Sequence, residues 1–114
     1  MVKKTYIPDR GDLLWINLNP QRGREQKGKR PALVISPKIY NNKTGLALMC
    51  PITSQGKGYP FEVPIENAKI GGFILADQIR TLDWQTRKVS FVSKIKDEIL
   101  LEVQEKLLTL IVKP

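Results

Sequence analysis

The sequence predicts a mainly β domain, a small and strongly bent sheet or barrel, closed by one C-terminal helix. Three observations lead there. Short apolar, β-prone runs alternate with clusters of Asn, Gly, Pro and Ser between residues 12 and 92. From Asp97 onward the apolar residues recur at helical spacing instead. A chain of 114 residues, finally, fits one domain, 1–114, and is too short for two.

Residues 12–18, DLLWINL, read as the first strand, ended by the turn chemistry of Asn19-Pro20. A basic loop follows, and 31–36, ahead of Pro37, reads as a strand buried on both faces. Residues 40–45 form a turn cluster, and 46–52 a third strand running into the turn-rich 53–58. Residues 61–65 alternate apolar and polar; Pro64 has no N–H to give a ladder, so it belongs at a sheet edge or a strand end. Gly71-Gly72 precedes a strand at 73–76, and 88–92 is the last short strand. In the tail, apolar residues at 99, 100, 103, 107, 110 and 111 carry the helical pattern, and Asp97 and Glu98 suit the positive end of a helix. Leu100, Val103, Leu107 and Leu110 form a stripe that covers the sheet, while Leu101, Leu108 and Val112 leave apolar surface for a partner.

Composition narrows the function. No apolar run approaches membrane-span length and the N-terminus lacks a signal-peptide centre, so a cytoplasmic protein with no membrane partner is expected. The lone Cys50, in LALMCPI, rules out an intrachain disulfide and reads as a buried small hydrophobe. The net charge of +8 points to an anionic partner, and its distribution is sharper than its size. Residues 1–57 hold eleven Lys and Arg against three acids; residues 58–114 hold eight against eight. Five of those cations, with one acid, fall in residues 21–30, QRGREQKGKR, enough to concentrate positive potential on one loop. With no histidine, Ser-His-Asp triads, Cys-His pairs and paired-imidazole nucleases are excluded, and one Cys cannot complete a zinc site. Neither a metal nor another cofactor is expected.

Cutting RNA without imidazole requires that a ribose 2′-OH be aimed at the adjacent phosphorus while donors stabilise charge on the phosphoryl oxygens. Arg30, at the end of the basic loop and beside a core strand, supplies a permanently charged fork of donors; Thr53 and Ser54, leaving another buried strand, supply hydroxyls. Each is common in inert proteins when taken alone. Trp15 and Trp84 can stack on bases, with core packing the favoured reading of Trp15.

The ordered combination is similar to the MazF/PemK family of mRNA interferases, closest to its MazF branch. It runs through Gly11-Asp12-Leu13-Leu14-Trp15, the stretch GREQKGKRPALVIS at 23–36, YNNKTG at 40–45, Pro51-Ile52-Thr53-Ser54, KGYPFEV at 57–63, LADQIR at 75–80, Asp83-Trp84 and Arg87. The resemblance implies an SH3-like β-barrel with a C-terminal helix, a fold shared with gyrase-poisoning toxins, working as a homodimer. It implies a toxin of a type II toxin–antitoxin system that cleaves single-stranded RNA within short sequences, leaving a 2′,3′-cyclic phosphate and a 5′-hydroxyl. A cognate antitoxin, acidic and partly disordered, follows from it as partner. Arg30 and Thr53 match the positions the family uses at the scissile phosphate, and Glu25 matches its loop carboxylate, as a base or an orienter of Arg30; an ion pair with Arg24 or Lys29 is the plainer reading. Arg24, Gln26 and Lys27 of the loop, Ser54, Lys57, Arg80 and Arg87 are the expected RNA contacts. Asp77 matches an aspartate of the PemK branch, but the arginine two residues before it is Leu75 here, so that catalytic pair does not transfer. Asp77 and Gln78 instead read base edges or fix the following loop by hydrogen bonding. The rivals are a basic barrel that only holds RNA and an inhibitor of a DNA-processing enzyme.

Overall fold

A computed structural model describes residues 5–18, 28–66 and 69–114. The strands are β1 (Asp12–Asn17), β2 (Lys29–Val34), β3 (Leu46–Thr53), β4 (Glu62–Ile65), β5 (Gly72–Leu75), β6 (Arg80–Asp83) and β7 (Ser90–Lys94), with helices α1 (Lys38–Thr44) and α2 (Asp97–Ile111). They form one antiparallel seven-stranded sheet in the order β4-β5-β3-β2-β1-β7, and β3 also pairs with β6. β3 therefore forks: Leu46 to Met49 run beside β6, and Ile52 and Thr53 beside β5.

Strands that bury both faces need apolar residues of both parities. Leu13, Leu33 and Cys50 lie in register and face one core, which Val103 and Leu107 of α2 complete. Leu14, Ile16, Ala32, Val34, Ala47 and Met49 face a second core with Leu82 and Trp84. The turn after β6 closes the second core by returning to the end of β1: Asn17 N–H donates to the Arg87 carbonyl (3.1 Å), and the Arg87 guanidinium donates to the carbonyls of Asn17 (3.2 Å) and Leu18 (2.7 Å). The mainly β domain with a C-terminal helix is thus observed, and Pro64 stands on edge strand β4, opposite Phe73. Cys50 is buried, and burial pushes its thiol up to about 12.

Four expectations need correction. Residues 40–45 are not a turn but most of α1, ended by Gly45 at φ 73, whose N–H donates to the Asn41 carbonyl (3.0 Å). Asn41 anchors it: fully buried, its amide donates to the carbonyls of Pro8 (2.8 Å) and Ser36 (3.0 Å). Strand β6, RTLD, was not anticipated, since Leu82 is its one buried side chain. The last strand starts at Ser90, not 88, because residues 84–88 form a turn in which Lys88 takes a left-handed φ of 52°. Leu110 is 53% exposed, so the buried stripe of α2 ends at Leu107; Leu101, Leu108 and Val112 are exposed as anticipated.

Candidate functional site

Antiparallel pairing brings the start of β2 alongside the end of β3, with Ala32 opposite Pro51. Around these two strand ends lies a cavity of about 630 Å3. Lys29, Arg30 and Pro31 line it from β2, Thr53 and Ser54 from β3 and the residue after it, Trp15 and Leu18 from β1 and its end, and Lys69, Leu75 and Gln78 from the far side. Among the described residues that line it, three are cations and none is an acid. A concave site of this kind attracts anions.

Local backbone fixes two residues of the cavity wall. The Arg30 guanidinium donates to the Lys29 carbonyl (2.8 Å), holding the side chain at the start of its strand. Thr53 is half-buried and its hydroxyl oxygen accepts the Gln55 N–H (3.2 Å), which turns the chain away from β3. Across from it, Gly72 takes φ 124°, and a Cβ there would stand 2.2 Å from the Thr53 carbonyl oxygen. Only glycine lets β5 approach the Thr53 backbone so closely.

The turn between β3 and β4 is pinned at several points. The Glu62 carboxylate accepts the backbone N–H groups of Lys57 (2.7 Å) and Gly58 (3.0 Å), and Lys106 of α2 donates to the Pro60 carbonyl (2.6 Å). The Tyr59 hydroxyl donates to Asp77 Oδ1 at 2.9 Å.

Arg30, Thr53, Ser54 and Gln78 therefore meet at one cavity. Arg80 borders a neighbouring hollow that shares Leu18, Pro31 and Pro51 with it. Asp77 is exposed and bonded to Tyr59, and Lys57 is exposed with its backbone held by Glu62; neither lines the cavity. Arg87, an expected phosphate contact, is half-buried, donates to the carbonyls that close the sheet and does not line the cavity. Glu25, Arg24, Gln26 and Lys27 lie outside the described residues.

The structure overturns the favoured reading of Trp15. Trp15, expected in the core, is 36% exposed and lines the cavity, whereas Trp84 is 4% exposed and its indole N–H donates to the Asn41 carbonyl (3.0 Å). The run LLWIN is apolar at nearly every position, so its pattern held no parity from which to tell which residue turns outward. Lys69 and Leu18 also went unnoticed, and Leu75, seen in the sequence only as the place of a missing arginine, lines the cavity as well. Lys69 is a solitary cation in the charge-balanced half of the chain, and nothing in its neighbours marks it.

Comparison with known proteins gives the family of the fold. The model of the PemK-like, MazF-like toxin family of type II toxin–antitoxin systems matches residues 9–111. The endoribonuclease toxin MazF of Escherichia coli strain K12 is 44% identical over 106 residues, 93% of this chain and 96% of that protein. The crystal structure of MazF from Deinococcus radiodurans, 46% identical, superposes with a TM-score of 0.85 over 96% of this chain and 100% of that one. A MazE–MazF complex from the same organism, 41% identical, gives a TM-score of 0.85 with the same coverage.

Proposed function

Because the chain belongs to the PemK-like, MazF-like toxin family and is an endoribonuclease of that family, we propose that it cuts single-stranded mRNA within short recognition sequences, without a metal ion. The observation that carries the reading is the convergence of Arg30 and Thr53, from different strands, on one cavity whose described lining holds three cations and no acid. A phosphodiester in that cavity meets the Arg30 guanidinium, whose fork of donors matches two phosphoryl oxygens, and the hydroxyls of Thr53 and Ser54. The ribose 2′-OH before the phosphate attacks phosphorus and the 5′-oxygen of the next nucleotide departs. The products are a 2′,3′-cyclic phosphate and a 5′-hydroxyl. Arg30, a permanently charged fork of donors, stabilises the charge that builds on the phosphoryl oxygens and is not the base. Glu25 is the base or the orienter of Arg30 in this scheme. Trp15, exposed on the cavity wall, is a stacking surface for a base.

The active unit is a homodimer in the cytoplasm, restrained by an acidic, partly disordered antitoxin whose carboxylates occupy the phosphate positions. Support comes from the basic cavity and from the existence of a MazE–MazF complex of a similar chain. No described helix is long and apolar enough to cross a membrane. The test is a synthetic RNA containing one mapped cleavage site, incubated in EDTA. Cleavage should persist, should leave a 5′-hydroxyl, and should stop when the single ribose before the scissile phosphate is replaced by deoxyribose. A 5′-phosphate, cleavage at the deoxy position, or activity restored to a chelated sample by magnesium alone overturns the scheme.

A further inference from the structure

Tyr59 belongs to none of the groups assigned a task above, yet it stands between two residues of the site. Its hydroxyl lies 2.9 Å from Asp77 Oδ1, and the Gln78 side chain is hydrogen-bonded to the same phenol. Gln78 lines the cavity; Tyr59 and Asp77 do not. A phenol has one proton, and a carboxylate can only accept. Partial burial, and then the Asp77 carboxylate, raise the Tyr59 phenol above its ordinary range, so that proton is present at neutral pH and is given to Asp77. The phenol oxygen then has only lone pairs left for Gln78. An amide meeting lone pairs must present its NH2, which turns its carbonyl oxygen the other way.

We propose that Tyr59 is a specificity-determining positioning residue: bonded at once to Asp77 and Gln78, it orients the Gln78 amide so that its carbonyl oxygen faces the RNA cavity and selects a base bearing an exocyclic amino group. Adenine and cytosine present such a donor on their Watson–Crick edges where hypoxanthine and uracil present a keto oxygen. The turn that carries Tyr59 is suited to the task because it is held from two sides, by Glu62 on Lys57 and Gly58 and by Lys106 on Pro60. A side chain on a mobile loop would not impose one amide orientation on its neighbour. The inference rests on the reading of the cavity as an RNA site.

The experiment uses the full chain and a panel of short unstructured RNAs built on one mapped cleavage site. Each adenine around the cut is replaced singly by hypoxanthine and each cytosine by uracil, and single-turnover kcat/KM is measured. At one position or more the wild-type protein should lose at least about tenfold on the swap, the scale of one misplaced buried donor or acceptor. Tyr59→Phe, which removes only the hydroxyl, should narrow that ratio to within about threefold, with the other positions unchanged. Adding Gln78→Glu to Tyr59→Phe should restore the ratio, because a carboxylate is an acceptor in every orientation, even where the overall rate falls. Thermal melting accompanies each variant. A wild-type panel with no amino preference at any position overturns the proposal without recourse to a variant. So does a Tyr59→Phe protein that keeps the full ratio, or one that melts early and loses all substrates equally, which assigns Tyr59 a structural role. Failure of the wild type to cut any RNA would instead bring down the function reading itself.

Discussion

Replacing Gly72 by Ala should slow RNA cleavage far more than it weakens RNA binding, although Gly72 offers the substrate no side chain. The added Cβ would stand 2.2 Å from the Thr53 carbonyl oxygen, 3.0 Å from its carbonyl carbon and 3.2 Å from Ser54 Cα. Backbone of a paired strand cannot rotate out of the way, so Thr53 and Ser54 must move. Relief to ordinary contact requires a displacement of about 1 Å, the scale at which a misplaced catalytic group costs on the order of a hundredfold in rate. Gly72 also sits at φ 124°, a conformation that strains an L side chain by about 1–3 kcal/mol. The variant should therefore melt earlier while remaining folded, since 1–3 kcal/mol is a fraction of the stability of a domain of this size. Single-turnover cleavage under saturating enzyme reads the rate, and fluorescence titration with a 2′-deoxy-blocked RNA reads the affinity. Wild-type cleavage by a folded Gly72→Ala protein would refute the claim that the position of Thr53 governs the reaction. A loss of affinity equal to the loss of rate would refute it as well, because the defect would then lie in binding.

Two further outcomes follow from the same structure. Arg30→Ala should lower the single-turnover rate far more than it raises the RNA dissociation constant, whereas Lys29→Ala should weaken binding and flatten its salt dependence; equal, affinity-only losses in both would remove Arg30 from the chemistry. Stability should fall as pH rises above about 10, the usual phenol value, because Tyr6 is held as a phenol by burial first and then by its hydrogen bond to Asp12 (2.5 Å). Its folded-state proton affinity is raised, so the contribution is complete below the unfolded value and is lost with rising pH, and Tyr6→Phe should flatten that decline in alkaline melting curves.

The alternation of apolar runs and turns was enough to reveal most strands, and the change of period at Asp97 was enough to place α2. What escaped has a physical cause in each case. Helix α1 is KIYNNKT, whose two asparagines compete locally with helix formation; it is stabilised by tertiary bonds from Asn41 to Pro8 and Ser36, partners 33 and 5 residues away. Strand β6 carries one buried side chain, too few for a period to show, and its place is set by pairing with the first half of β3. Local pattern carries no trace of either constraint.

The site divides along a similar line. Arg30, Thr53 and Ser54 were expected together because their motifs resemble the family's and each borders a recognisable strand, and all three line one cavity. Trp15 was placed in the core because an uninterrupted apolar run has no parity, and Lys69 was passed over because one cation among balanced charges carries no signal. Tyr59 was invisible for a deeper reason. Its part in the site depends on which partner receives a single proton, and that is decided by Asp77, eighteen residues away in sequence and 2.9 Å away in space. The cavity itself arises where strands end, and there the two-residue period that marks a strand no longer says which way a side chain points. Backbone pairing then decides. Ala32 opposite Pro51 sets the start of β2 against the end of β3, and Gly72 lets β5 close on Thr53 from the other side. A change at Gly72 consequently reaches the phosphate through the Thr53 backbone, and a change at Tyr59 reaches the base through the Gln78 amide. The two variants should therefore separate: Gly72→Ala alters rate at every sequence, and Tyr59→Phe alters which sequence is cut.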